Sequence, residues 1–167
     1  LQKGDRIAAY VPNKIETIIC FLACAKNGII WSSCSPDFGA QGVVDRFKQI
    51  EPKVFITCDY YYYNGKKINI LDKVEKILKQ IPSIKKVIAF NYNKQERESL
   101  KNFINFEETL NNDLDEDFER FEFNHPIYIL FSSGTTGKPK CITHGSGNVL
   151  IEHNKEFMLH CDIRDNE

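Results

Sequence analysis

The sequence lacks the long apolar runs and the excess of one charge that mark membrane-spanning and nucleic-acid-binding proteins. No apolar run reaches the roughly 18 residues of a transmembrane helix. The net charge is −1, so no strong field attracts nucleic acid or an anionic membrane. We therefore expect neither as a partner, and any basic site must be local. A chain of 167 residues is long enough to bury one core.

Paired cysteine motifs are also missing. None of the six cysteines forms a C-x-x-C pair, and no histidine near Cys20 and Cys24 completes a set of metal ligands. Buried free thiols in a reducing compartment are the simpler interpretation. Residues 1–5 carry no signal-peptide pattern. These features predict a cytoplasmic protein.

Strand and helix patterns alternate along the first 90 residues. Asn13, with Glu16 three residues later, predicts a capping box for the first helix, and Gly28 is placed to close that helix. Alternation of this kind indicates βαβ units with right-handed crossovers and a mainly parallel sheet, hence the α/β class. Strands are predicted at 6–11, 29–33, 53–57 and 86–90. The apolar helix faces, interpreted as core, are Ile15, Ile18, Ile19 and Leu22; Val43, Val44, Phe47 and Ile50; and Ile70, Leu71, Val74, Ile77, Leu78 and Ile81.

The chain changes character after residue 90. Residues 91–125 are polar and increasingly acidic; a solvated excursion is the simpler interpretation, and an acidic partner site is the alternative. The aromatic run 60–63 fits a strand edge or a surface patch equally. Anchors for the excursion are predicted at Phe103, Phe106, Leu110 and Phe121. We divide the chain into a βαβ subdomain at 1–90, the excursion at 91–125, and a strand, loop and final helix at 126–167.

The most informative segment is ILFSSGTTGKPK at 129–140, where an apolar strand enters a loop of hydroxyls, glycines and lysines. Glycine lets the backbone approach an anion and adopt positive φ, and consecutive N–H groups form an anion-binding concavity. Hydroxyls donate to phosphate oxygens, and lysines supply positive charge. Strands predicted at 126–131 and 140–143 would fix the geometry of this loop. The segment therefore predicts binding of a nucleotide's phosphates.

Two common phosphate loops do not fit. In G-x-x-x-x-G-K-[ST] four residues separate the glycines, whereas two separate Gly134 from Gly137. Lys138 is followed by Pro139, so no hydroxyl sits where that motif holds Mg²⁺, and the proline resists a helix continuing from the loop. The dinucleotide pattern G-x-G-x-x-G is absent. An ordinary Gly/Thr turn between two strands remains the structural alternative.

Residues 132–140 resemble the phosphate loop of the adenylate-forming superfamily of AMP-dependent synthetases and ligases. Within it, GIIWSSCSPDFG at 28–39 resembles the acetoacetyl-CoA synthetases, and the match is weakest between 60 and 124. The same family is matched by VVDRF at 43–47, IEPK at 50–53, HPIYILF at 125–131, KCITHG at 140–145 and HCD at 160–162.

The resemblance implies a two-step ligase. A carboxylate, here acetoacetate, attacks the α-phosphate of ATP and releases pyrophosphate; the thiol of coenzyme A then takes the acyl group and releases AMP. Mg²⁺ is expected to offset the phosphate charge. The alternatives are another acyl-CoA synthetase of the superfamily, for acetate or medium-chain acids, and a nucleotide-binding module without catalysis.

The resemblance also implies roles for single residues. Lys138 and Lys140 would neutralise charge on the leaving pyrophosphate, or Lys140 would pair with a carboxylate and brace the loop. His144 would contact the acyl substrate or serve as a structural histidine. We expect Trp31 to pack, and Asp37 and Arg46 to form an ion pair or cap. The ATP-phosphate set is Ser132, Ser133, Gly134, Thr135, Thr136, Gly137 and Lys138.

The resemblance also implies further parts of the active site. In members of the family these parts lie beyond the position that matches residue 167. They are an adenine-binding segment, a ribose-binding aspartate, a metal-binding glutamate and a catalytic lysine on a mobile domain. We therefore expect residues 1–167 to be an internal fragment, a partial AMP-binding domain that is inactive without the rest of its chain.

Overall fold

The fold is given by a computed structural model that describes residues 1–93, 102–110, 118–133 and 137–164. Within these ranges the strands are β1 (Arg6–Tyr10), β2 (Ile30–Cys34), β3 (Val54–Cys58), β4 (Tyr60–Tyr63), β5 (Lys66–Asn69), β6 (Lys86–Phe90), β7 (Ile104–Asn105), β8 (Pro126–Ser132) and β9 (Lys140–Gly145). The helices are α1 (Ile15–Lys26), α2 (Ala40–Phe47), α3 (Leu71–Leu78) and α4 (Ser146–Lys155). A 3-10 turn, Phe106–Thr109, follows β7, and a π-helical turn, Glu156–His160, follows α4.

A seven-stranded sheet organises the described residues, in the order β7-β6-β3-β1-β2-β8-β9. Every neighbouring pair is parallel except β8 and β9. Helices cover both faces, since Phe21 of α1 contacts Tyr128 whereas Phe47 of α2 contacts Phe131, and these β8 residues point to opposite sides. The predicted α/β class with a mainly parallel sheet is confirmed.

Helix α1 begins differently from the prediction. Its N-cap is Lys14, which makes no side-chain capping bond, so the capping box of Asn13 and Glu16 is wrong. Instead the Thr17 hydroxyl donates to the carbonyl of Pro12 (2.8 Å), and Glu16 is only 3% exposed. The helix ends as predicted, because Gly28 follows it with φ 63°, in the left-handed region that favours glycine.

Helix α1 also turns a different face to the sheet. Ile15 and Leu22 are 61% and 57% exposed, and Ile18 and Ile19 are exposed as well, so this stripe is not core. Cys20, Phe21 and Cys24 pack against the core instead. The helix is apolar on two sides, and periodicity alone does not say which side meets the sheet. In the last helical stretch Leu150, Ile151, Phe157 and Met158 are exposed too.

The tyrosine run forms β4, which pairs antiparallel with β5. Tyr60 and Tyr61 are buried whereas Tyr62 and Tyr63 are exposed, so the run is both a strand and a surface feature. Asn64 and Gly65 make the turn with φ 48° and 74°, the tight hairpin turn with positive φ at both central residues.

The excursion is partly integrated into the sheet. Its strand β7 pairs in parallel with β6, and Phe106 is 3% exposed. Phe121 stacks on His125 with 4.7 Å between ring centroids, whereas Leu110 is exposed. No helix of the described residues combines the length and apolarity needed to cross a membrane.

Candidate phosphate-binding site

The predicted phosphate loop joins β8 to β9 at the carboxyl end of a parallel strand. In the antiparallel hairpin Phe131 pairs with Cys141 and Ser132 with Lys140, so the latter pair closes the loop. Ligands of open α/β sheets bind beyond the carboxyl ends of the parallel strands. The hairpin therefore holds the loop at the edge where this fold places ligands.

The described part of the loop is open to solvent. Ser132 is half-buried, whereas Ser133, Gly137 and Lys138 are exposed. Gly137 does not have positive φ, and a Cβ added to it would meet no atom within 4 Å. Three residues of the predicted set, Gly134, Thr135 and Thr136, lie outside the described residues.

The two lysines flank the end of the loop. Within the described ranges neither Lys138 nor Lys140 makes an ion pair, so the bracing carboxylate considered for Lys140 is not found there. Both lysine side chains are exposed at this surface.

His144 lies near the end of β9 that is remote from the loop. Ser132, Lys140 and His144 share one face of the hairpin, but the histidine is four positions after the lysine, about 13 Å along a strand. The half-buried His144 ring lies 4.9 Å from the ring of its cross-strand partner Tyr128. The structure therefore gives His144 a packing contact.

The strand that carries the loop is braced by a residue that the sequence analysis missed. A single register pair, Trp31 with Tyr128, joins β2 to β8. The fully buried Ser32 adds to it by donating its hydroxyl to the Ile129 carbonyl at 2.7 Å. Trp31 is 5% exposed, and its ring makes a T-shaped contact with the ring of Phe21, as expected for a packing residue.

A second missed residue is Gln49, just after α2. Its side-chain amide donates to the carbonyls of Asp45 (2.7 Å) and Pro139 (2.9 Å), and its oxygen accepts from the Cys141 thiol (3.7 Å). Two of these partners lie 90 and 92 residues away in sequence, so no local pattern identifies the contact.

The turn after β2 lies beside β8 at the same sheet edge. Asp37 accepts from the Ser35 hydroxyl (2.8 Å), and the Arg46 guanidinium lies 4.5 Å from the centroid of the Phe38 ring. Asp37 and Arg46 form no ion pair with each other, and Gly39 rather than Asp37 caps α2, so that expectation is wrong. The Tyr10 hydroxyl, whose pKa is raised by burial, lies 2.7 Å from the Pro36 carbonyl and holds the turn.

All six cysteines are free thiols. Cys24, Cys34 and Cys58 are buried as predicted, whereas Cys141 and Cys161 are exposed. Burial raises the pKa of Cys24 to about 12 and that of Cys34 to about 11. Within the described residues no group of three or more His, Cys, Asp or Glu side chains is arranged to hold a metal ion.

Known proteins resemble this chain over nearly all of its length. An acetoacetyl-coenzyme A synthetase of Rhizobium meliloti is 47% identical over 98% of this chain and 26% of its own. The acetoacetyl-CoA synthetase of Xenopus tropicalis is 42% identical over 96% of this chain and 25% of its own. A malonamoyl-CoA synthetase of Penicillium aethiopicum is 38% identical over 98% of this chain and 24% of its own. This chain thus spans about a quarter of the length of these curated relatives.

A solved structure agrees with these relatives. Acetoacetyl-CoA synthetase from Streptomyces lividans superposes with a TM-score of 0.91 at 39% identity, covering 98% of this chain and 25% of that one. The family model described as "AMP-binding enzyme" matches residues 1–165. The chain therefore belongs to the AMP-binding enzyme family.

Proposed function

We propose that this chain forms the ATP-phosphate-binding part of an acetoacetate–CoA ligase. The observation that carries the proposal is the β8–β9 hairpin, which brings Ser132 and Lys140, the described ends of the run SSGTTGKPK, to the carboxyl edge of the parallel sheet. Most of the relatives are named acetoacetyl-CoA synthetases, and we take acetoacetate as the acid substrate from those names. In this reaction the acetoacetate carboxylate attacks the α-phosphate of ATP, pyrophosphate leaves, and the coenzyme A thiol displaces AMP from the adenylate.

The loop's contribution is to bind and neutralise the triphosphate. Hydroxyls and N–H groups of Ser132, Ser133, Thr135 and Thr136 donate to the β- and γ-phosphates. Gly134 and Gly137 leave room for the phosphates against the backbone. Lys138 and Lys140, whose side chains are exposed, stabilise the charge that grows on the leaving pyrophosphate.

Magnesium has no ligand set of its own among the described residues. We expect Mg²⁺ to arrive with the phosphates of ATP. Coenzyme A and acetoacetate are the remaining co-substrates. Because the chain spans about a quarter of the length of its relatives, we propose that residues 1–167 form a partial AMP-binding domain that is inactive without the rest of its chain.

The second candidate acid is malonamate, suggested by the malonamoyl-CoA synthetase at 38% identity. The two acids have nearly the same shape and differ in a methyl group against an amide NH₂. A pocket that hydrogen-bonds the NH₂ would reject the methyl analogue strongly, whereas an apolar pocket discriminates weakly.

His144 stays the proposed contact of the acyl substrate. We also propose that the protein is cytosolic, because its cysteines are free thiols.

The test is ATP–pyrophosphate exchange by the intact protein with acetoacetate, malonamate, acetate and a medium-chain acid in turn. We expect the fastest exchange with acetoacetate and a large loss in the variant carrying Thr136→Val and Lys138→Ala. Preference for another acid would reassign the substrate, and ATP binding without any acid-dependent exchange would favour a non-catalytic module. Unchanged exchange in the double variant would refute the assignment of the loop.

A further inference from the structure

The end of helix α2 contacts both stems of the phosphate loop. Phe47 packs edge-on against Phe131, with 6.5 Å between the ring centroids and 64° between the ring planes. Two residues later, Gln49 bonds to Pro139 and Cys141 on the returning stem. Since Phe131 and Cys141 are cross-strand partners, one helix end holds the two strands at the base of the loop.

Both hydrogens of the Gln49 side-chain amide are used in these contacts. One amide hydrogen is anchored on its own helix end, at the Asp45 carbonyl, and the other reaches the Pro139 carbonyl across the gap. The side-chain oxygen accepts from the Cys141 thiol, a weak donor. The amide is therefore a bracket between α2 and the loop stem.

The bonded carbonyl is well placed to orient the loop. Pro139 lies just outside the ladder, whose last pair is Ser132 with Lys140. Its carbonyl shares a planar peptide unit with the backbone N–H of Lys140, so a bond to that carbonyl fixes the direction of this N–H. The contact face is the opposite one from Ser132 and Lys140, so the bracket does not block a ligand there.

We propose that Gln49 is a positioning residue for the phosphate loop, an inference that rests on the proposed function. It holds the peptide between Pro139 and Lys140 in the orientation that receives ATP. Loss of the bracket should weaken the use of ATP and leave the use of the acid unchanged.

The test compares Gln49→Leu with a matched control in the intact protein. Gln80 lines the same surface pocket as Gln49 and Lys138, but it lies just after α3, and its side-chain amide donates to the Lys76 carbonyl of that helix (3.3 Å) rather than to the loop stem. We expect Gln49→Leu to raise the KM for ATP roughly 3- to 10-fold, the effect of losing one or two neutral hydrogen bonds. The KM for acetoacetate should not change, and Gln80→Leu should change neither constant.

A second variant separates the two loop contacts and guards against misfolding. Gln49→Glu keeps an oxygen for the Cys141 thiol but cannot donate to the Pro139 carbonyl, so it should reproduce the ATP defect of Gln49→Leu. An unchanged KM for ATP in both variants would overturn the inference. Equal rises in both KM values would also overturn it, since they would indicate general loosening rather than positioning.

The rate of backbone hydrogen exchange at residues 137–141 tests the Gln49 contacts without requiring enzyme turnover. Gln49→Leu should speed exchange at this stem, and Gln80→Leu should not. If the unmodified protein protects the stem through Gln49 but shows no acid-dependent pyrophosphate exchange, the proposed function fails while the bracket stands. If it exchanges pyrophosphate, but Gln49→Leu changes neither the hydrogen exchange of the stem nor the KM for ATP, only the inference about Gln49 fails.

Discussion

Ser132 and Lys140 face each other across β8 and β9 and close the phosphate loop at its base. The pair places a hydroxyl at one end of the loop and an ammonium group at the other, on the same face of the hairpin. An anion bound over that face would meet both.

Removal of the Lys138 charge tests whether the loop stabilises the leaving pyrophosphate. We expect Lys138→Ala to lower the rate of pyrophosphate exchange by ~10²-fold, the usual effect of losing one such electrostatic donor. Lys48 lines the same surface pocket but belongs to the end of α2, so Lys48→Ala is the control. Equal losses in the two variants would mean that only the general surface charge matters.

Substitution of Ser32 tests how β8 is held. Ser32→Ala leaves the buried Ile129 carbonyl without its hydroxyl donor, which should cost about 1–3 kcal/mol and lower the melting temperature. The exposed neighbour Ser33 is the control, and Ser33→Ala should leave the melting temperature unchanged. Identical melting temperatures for the two variants would show that the hydroxyl does not brace the strand.

Two glycine substitutions separate backbone strain from steric clash. Gly65 has φ 74° with nothing within 4 Å of an added Cβ, so Gly65→Ala should cost about 1–2 kcal/mol from strain alone. At Gly28, φ is 63° and the added Cβ would lie 2.6 Å from Phe121 Cε1, which should cost about 1–3 kcal/mol more. Urea denaturation measures the difference, and a smaller effect at Gly28 would contradict the packing of Phe121.

Two substitutions of His144 separate packing from substrate contact. His144→Phe keeps an aromatic ring against Tyr128 and should preserve the melting temperature, whereas His144→Ala should lower it. Both variants lose the ring nitrogens and should raise the KM for acetoacetate. If the KM stays constant in His144→Phe, the histidine is a packing residue only.

Cysteine labelling tests the burial pattern. A thiol reacts as the thiolate, and burial raises the pKa of Cys24 to about 12, so this group stays protonated at pH 8. Peptide mapping after alkylation at pH 8 should find Cys161 and Cys141 modified first. Burial also raises the pKa of Cys141, so its labelling should quicken as the pH rises. Early modification of Cys24 would contradict the packing of α1.

The sequence predicted the parts of the fold that local patterns determine. The strand at 86–90 has the bounds of β6, and the alternation of strands and helices predicted the parallel sheet. The sheet-facing side of α1 could not be chosen, because Ile15 and Ile18 form one apolar stripe and Cys20 and Cys24 belong to another. The Asn-Gly pair at 64–65 is a local hairpin signal, and the structure forms the turn there.

In the candidate site, too, local patterns predict some residues, whereas others depend on contacts between distant parts of the chain. The predicted phosphate loop is a continuous run, so sequence alone is enough to propose it. Gln49 and Ser32 act on partners 90 and 97 residues away, and only the folded sheet brings those partners together. The neighbour of His144, Tyr128, follows from the register of β8 and β9, which apolar periodicity does not specify.

The most direct test of the proposed reaction follows the oxygen atoms of the acid. Acetoacetate labelled with ¹⁸O in its carboxylate is incubated with ATP, coenzyme A and the intact protein, and the products are analysed by mass spectrometry. Attack of the carboxylate on the α-phosphate, followed by thioester formation, predicts one ¹⁸O atom in AMP and none in pyrophosphate. Label in orthophosphate, or AMP without label, would contradict an acyl-adenylate.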